Sequence, residues 1–598
     1  MNRTFTHFFF FVYVIIFSHS SNSQISTSFD NEKRDITSLS IGFNRRSDVG
    51  TWWSNTTFKD LLKEINPDVV RYPAGTQANY WNWKTGQFLE NTDKSWGNKE
   101  IVTIPTFLNA LPFRTKVVYV VNMARPTPAT GIDVNASEQV LKSDATLNLK
   151  IADMIDAIDT FVSQGKEPYA IELGNEFYFG NEEGGIFHIE EINGKYYSGW
   201  DATYNKPYES SDKKQATVFN AKFYLDQCKV IVEKISAAYP DIKFALTTTK
   251  EEANAQIRER WNTTIFNELT TNAKYASLKS KICAVTQHHY LNQNYGIQTK
   301  INDVDSAKKA IVEGIQYPID KKSDYNLVPN NYKIWYTEYG EVKGIAEETW
   351  ADALRYAALT YSWITLGEKV EHLHFHYITD NTVIKEGNPL NLAPVGIASK
   401  LFLQASAEMQ YMQKINFGNN VIAADNINSI HGLKFSNDKK ETLIILNLGS
   451  NNRTIKFDNL IDYTGKPTLT QYRSLEPWIT PVALGDANIK FNNEDISETV
   501  VARKFSISVI EVPKETLSNH EVKLTKVSVF PNPVENKLNF STKSNIKSVD
   551  VFNLRGSLIS TFKKISDNSI DLNNLKTGIY ILKIATDKGT EFKKIIKI

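Results

Sequence analysis

From about residue 38 to 412, short apolar, β-branched runs alternate with longer stretches whose apolar positions recur at helical spacing. The runs predict strands at Leu39–Phe43, Val69–Tyr72, Lys116–Asn122, Tyr169–Asn175, Lys243–Thr248, Ile282–His289, Lys333–Tyr339 and His372–Tyr377. Helices are expected between and after them, most clearly at Thr146–Ser163, Ala216–Tyr239, Ser306–Gln316, Thr349–Leu366 and Ala398–Met412. Eight strands, each followed by a helical segment, predict an α/β fold of the (β/α)8 barrel type. The segments after strands two, three and four are long. In this architecture such insertions lie at the strand C-terminal ends, where binding loops sit.

The pattern changes after Met412. Short alternating runs such as Thr442–Leu448, Arg453–Phe457 and Phe505–Val512 are separated by Asn, Asp and Gly clusters, which predicts a β-sandwich. Residues 505–512 alternate as a half-buried strand does. The domains expected are a leader at 1–23, the barrel at 24–415, the sandwich at 416–513, a polar linker at 514–524 and a small β-sandwich-like domain at 525–598.

The first segment is predicted to be a secretory signal. Arg3 precedes the apolar run Phe8–Phe17, and small polar residues Ser18–Ser23 follow. The run is shorter than the roughly 20 residues a membrane span needs, and no later stretch qualifies, so no span is expected in the mature protein. Net charge over 598 residues is +1, which gives no case for a nucleic-acid partner. The charge is uneven, however: residues 525–598 carry 13 Lys+Arg against 6 Asp+Glu, about +7, leaving about −6 for the rest. Cys228 and Cys283 are the two cysteines, expected as separate thiols, with a bridge between them the other reading. An aromatic content of 12% suits a carbohydrate cleft and a β-rich protein equally.

Glycoside hydrolysis with retention needs two carboxyl groups about 5–5.5 Å apart, and a barrel supplies them from the C-terminal ends of two strands. Two strands here end suitably. In Tyr169-Ala-Ile-Glu-Leu-Gly-Asn-Glu176 a period of two points Glu172, Gly174 and Glu176 to the axis, with Glu176 nearest the rim. Glu172 also reads as a buried structural carboxylate. Asn175 is placed to bind a sugar hydroxyl. In Ile334-Trp-Tyr-Thr-Glu-Tyr-Gly340, Glu338 ends strand seven, and Tyr336, at the same parity, is expected to donate a hydrogen bond to it.

These residues resemble a known group. Asn175-Glu176 at the end of strand four and Glu338 at the end of strand seven look like the acid/base and nucleophile of clan A glycoside hydrolases. Glu172–Glu176 and Val285-Thr-Gln-His-His-Tyr-Leu-Asn292 resemble segments of heparanase-like β-glucuronidases. Val70-Arg-Tyr-Pro-Ala-Gly-Thr76 resembles a strand-two motif shared with the α-L-arabinofuranosidases. Ala74-Gly75 replaces the Gly pair common in that motif, and Tyr336-Thr-Glu-Tyr339 is typical of neither family.

In the tail, Val527-Ser-Val-Phe-Pro-Asn-Pro533, Val549–Gly556 and Leu575–Leu582 resemble the type A sorting domain of the type IX secretion system. That implies a Bacteroidota source, export across both membranes, and the secretion machinery as a partner.

The remaining candidates come from strand ends. His288, His289 and Tyr290 end strand six and are expected on one face, where one of them bonds Glu338 or the sugar. Asn122 ends strand three. His374 and His376 alternate on strand eight, facing the axis or packed. Trp81 and Trp83, with Tyr80, are stacking platforms or packing residues. Arg71 or Arg125 is a partner for a uronate carboxylate. The chemistry expected is double displacement on a carbohydrate: Glu176, protonated beside the negative Glu338, acts first as acid, and no cofactor or metal is required. The competing class is a glycan-binding protein on a decayed barrel.

Overall fold

The computed structural model describes residues 25–598 except 31–32, 45–49, 80, 82, 87–100, 124–143, 180–188, 202–205, 251–258, 292–300, 341–347, 380–381, 388, 419–420, 423–426, 458–459, 462–465, 480–482, 515–526, 554–555, 564 and 566. The expected leader and most of the expected linker lie outside the described residues, as do Tyr80 and Arg125.

Eight parallel strands close into a barrel: β1 (Ser40–Asn44), β2 (Val69–Tyr72), β3 (Lys116–Val120), β4 (Ala170–Leu173), β5 (Lys243–Thr247), β6 (Ile282–Tyr290), β7 (Lys333–Gly340) and β8 (Val370–Phe375), with β8 pairing β1. A helix follows each: α1 (Thr56–Ile65), α2 (Ile104–Ala110), α3 (Asp144–Ser163), α4 (Lys213–Ala238), α5 (Trp261–Thr271), α6 (Val304–Asp320), α7 (Trp350–Leu366) and α8 (Pro394–Ser406). The sequence sets their starts. Asn55 accepts from the Phe58 N–H at the head of α1, Thr349 and Asp352 form a capping box on α7, and Pro394 opens α8.

The strands are buried on both faces, as parallel strands wrapped by helices must be. Inside, Ala170, Ala245 and Ala284 leave room for the Trp335 indole, which stacks on His372 with ring centres 4.4 Å apart. Small residues around one large one fill this layer of the interior, as side chains fill an eight-stranded barrel.

The C-terminal part of this unit is a seven-strand antiparallel path: Ser28–Phe29, Tyr411–Asn416, Ile430–Ser436, Lys440–Asn447, Ser506–Pro513, Thr468–Ser474 and Ile489–Asp495. Ser28–Phe29 and Arg34–Asp35, which the sequence assigns to the barrel segment, both pair with Tyr411–Asn416 instead. Leu443, Ile445, Ile510 and Val512 pack with Ile455 and Val500 of a second, two-stranded sheet. Ile444, Leu446, Ile507 and Val509, on the opposite face, join the core around the barrel. The strand at 506–513 is therefore covered on both sides rather than half-buried. Its alternating serines, Ser506 and Ser508, are themselves buried.

Residues 515–598 form a second unit, with a three-stranded and a four-stranded sheet around Val527, Leu538, Val549, Val551, Leu582, Ile584 and Ile595. Both cysteines are free, Cys228 buried and Cys283 half-buried. Among the described residues, no helix is long and apolar enough to cross a membrane.

Candidate active site

Arg71 organises the open end of the barrel. It is fully buried on β2, and its fork reaches the ends of three other strands, β1, β4 and β7. Nε donates to Glu172 Oε2 at 2.6 Å and Nη2 to Glu172 Oε1 at 3.0 Å. Nη1 donates to Glu338 Oε1 at 2.6 Å and to Asn44 Oδ1 at 3.2 Å, while Nη2 also meets Asn175 Oδ1 at 2.8 Å. Burial works against the guanidinium charge, but Glu172 and Glu338 outweigh it and raise the pKa further. With its donors engaged by the protein, Arg71 holds the site together and is not the uronate partner the sequence allowed. Glu172 is the buried structural carboxylate.

Glu176 reaches the mouth by a turn rather than by strand parity. The strand ends at Leu173; Gly174 (φ 82°) and Glu176 (φ 52°) are left-handed, and a Cβ at Gly174 would strike the Phe177 ring. Glu176 Oε1 lies 2.8 Å from His288 Nδ1 and accepts from the Tyr178 hydroxyl at 2.9 Å.

Glu338 Oε2 is 3.7 Å from the same His288 nitrogen. The two carboxyl groups thus come within about 6.5 Å of each other at most, the sum of the two distances to His288, a limit that contains the retaining separation. Glu338 Oε2 also accepts from Tyr290 and lies 3.2 Å from His376 Nδ1. Burial alone would push the Glu338 carboxyl up. His288, His376 and Arg71 prevail and hold it well below the usual carboxylate range, so it is ionised.

His288 is the hinge of the electrostatics. Burial disfavours its cation, but Glu338 and Glu176 outweigh that and raise its pKa. Its other nitrogen is 3.1 Å from Thr337 Oγ1, which in turn donates to Glu172. A raised histidine contributes stability that is complete below its unfolded value of about 6.5 and is lost as pH rises through the folded value. Thermal stability and kcat/KM are therefore expected to fall together on the alkaline side. His288→Gln should lower kcat/KM by about 10²-fold and remove that limb. A pH–rate profile of the variant that keeps the wild-type alkaline limb would refute the assignment.

Gly75 sets the room around Glu338. A Cβ there would lie 2.1 Å from Glu338 Oε1 and 3.4 Å from Asn175 Oδ1. Gly75→Ala should leave the fold intact while displacing the carboxylate, costing about 10²-fold in kcat. Steady-state kinetics beside a melting curve that is lowered but still cooperative would show this.

Several expected residues go elsewhere. Tyr336 turns away from Glu338 and packs on Trp363 of α7 at 4.1 Å, its hydroxyl buried and without a partner among the described residues. Trp335 faces the barrel interior, so Tyr336 must face the helices; a register shift between Tyr336 and Tyr339 then turns Glu338 inward. Tyr290 supplies the hydroxyl instead. His289 alternates with His288 and Tyr290 rather than sharing their face, and lies against Tyr317, Tyr336 and Trp363. Trp81 is 1% exposed, edge-on to Tyr72 at 5.3 Å, and is a packing residue. Trp83 bonds Asp153 of α3. Asn122 follows β3 at the open end, half-buried. His374 is buried in the interior, and its ring nitrogens have no partner among the described residues. Asn44 and Tyr178 were not anticipated. Asn44 ends β1, and the strand-end rule would have found it.

This is the barrel and strand-end layout of a glycoside hydrolase fold, and the comparisons with known proteins agree. The chain is similar to a family 51 α-L-arabinofuranosidase from Bifidobacterium longum (TM-score 0.52, 14% identity, covering 82% of this chain and 100% of that one). It is similar also to the family 51 arabinofuranosidase from Xanthomonas axonopodis pv. citri (0.55, 11%, 82% and 99%) and to an α-L-arabinofuranosidase from Thermotoga maritima (0.51, 14%, 82% and 98%). At these identities the likeness is one of fold. No curated protein matches the sequence. Residues 528–598 match the secretion system C-terminal sorting domain, so the chain carries the tail of a type IX exported protein.

Proposed function

We propose that the chain is an exported retaining glycoside hydrolase acting on extracellular glycans, with Glu176 as acid/base and Glu338 as nucleophile. The observation that carries this is one histidine bridging two carboxylates at the ends of β4 and β7, one of them held ionised. The proton of the Glu176–His288 pair passes to the departing oxygen while Glu338 attacks the anomeric carbon. Glu176 then takes a proton from water, which releases the sugar from its ester with configuration retained. Asn175 Nδ2, buried and without a partner among the described residues, is a donor left for a sugar hydroxyl.

The test is a panel of aryl glycosides, α-L-arabinofuranosides and β-glucuronides included, together with neutral and acidic polysaccharides. NMR of the first-formed anomer on any responsive substrate should show retention. Inversion, or binding without turnover across the panel, would sink the reading.

A further inference from the structure

The second unit exposes more apolar surface than a domain of its size needs. Among the described residues, seven of the fifteen exposed large apolar side chains belong to it. Four of them, Leu558, Ile579, Phe592 and Ile596, share one sheet face. The four-stranded sheet runs Leu558–Phe562, Ile546–Asn553, Gly578–Thr586, Gly589–Lys597. One face carries Val549, Val551, Leu582, Ile584 and Ile595 into the core.

On the other face the register lines up Leu558, Phe552, Ile581 and Lys594 in a row across all four strands. Beside that row lie Ile579 paired with Ile596 and, on its other flank, Lys583 paired with Phe592. Leu558 is 56% and Phe592 61% exposed. A period-two strand that needed water on this side would place polar residues there, as edge protection also would. Here one outward row is apolar as far as Lys594 at its edge, and the flanking row runs Thr561, Asp550, Lys583 and Phe592. A contiguous apolar patch with a charged rim marks a binding surface.

We infer that this sheet face is the docking surface of the sorting domain, and that its occupant is an export-machinery protein presenting an apolar patch bordered by carboxylates. Two observations choose that occupant. The unit matches a sorting domain, whose work is to be recognised. The net charge of about +7 over residues 525–598, with Lys583 and Lys594 outnumbering the carboxylate of Asp550 in the face itself, complements an acidic partner and repels a second copy of itself.

The experiment is export of the full-length protein from a host that carries the type IX system. A Leu558→Ser/Phe592→Ser/Ile596→Ser variant should show at least a tenfold lower ratio of external to periplasmic protein, with the melting curve of the purified chain unchanged. Phe530→Ser, which removes an apolar side chain exposed on the three-stranded sheet of the same unit, should export normally. Lys583→Glu/Lys594→Glu, outward-facing and unable to disturb the core, should lower export as well and keeps the idea testable if the triple variant is unstable. Normal export of the charge-reversed and triple variants would overturn the proposal, as would equal loss in Phe530→Ser. Concentration-dependent dimerisation of the wild type that the triple variant abolishes would overturn it too, by showing a second copy as the occupant.

Discussion

Glu338→Gln is expected to abolish turnover, by about 10⁴-fold or more in kcat, while the protein stays folded. The amide keeps the shape and still accepts from Arg71, yet it cannot form the glycosyl ester. Glu172 continues to pair Arg71, so no cation is stranded in the interior. Glu176→Ala should behave differently. It removes proton donation to the leaving group, so unactivated glycosides should lose about 10²–10⁴-fold, whereas aryl glycosides with good leaving groups should lose far less in the first step. This contrast, read from kcat/KM over a series of leaving groups, separates the two roles. Equal losses for both variants on all leaving groups would reject the assignment, because two interchangeable carboxylates cannot divide acid from nucleophile.

The barrel was legible because its strands are apolar runs and its helices have marked starts. Strand two is the same in pattern and structure, and Thr349, read as the first residue of a helix, is its cap. The positions of Glu176 and Glu338 were also legible, since a glutamate ending a barrel strand has one direction to go. What failed was parity beyond a bulge. Counting by twos from Glu338 makes Tyr336 its neighbour, but the register shift in β7 puts two consecutive residues, Thr337 and Glu338, on the interior side. Counting along β4 fails for a related reason, because left-handed Gly174 and Glu176 end the pleat before the carboxylate. The sandwich strand at 506–513 misled differently: serine reads as solvent-facing, yet Ser508 is buried and accepts from Gln471. His376 could be named from the sequence as an axis-facing candidate, but its contact with Glu338 depends on where β8 stops, one residue earlier.

Arg71 carries the second large effect. Arg71→Met should destabilise the first unit by about 3–5 kcal/mol, because Glu172 and Glu338 would face each other in the interior with their shared cation gone. All 11 tryptophans lie between residues 52 and 478, so indole fluorescence during urea unfolding reports this unit and not the tail. Arg71→Met/Glu172→Met should recover part of the loss, since one stranded carboxylate is removed with its partner. Arg71→Lys is the finer probe. A lysine ammonium restores the charge but cannot span Glu172, Glu338, Asn44 and Asn175 from one planar fork. Stability should therefore return further than activity does, with kcat remaining about 10²-fold down because Glu338 and Asn175 are no longer held at fixed separation. If Arg71→Lys restored both equally, charge alone would account for the residue. The fork geometry linking three strand ends would then have no part in placing the carboxylates.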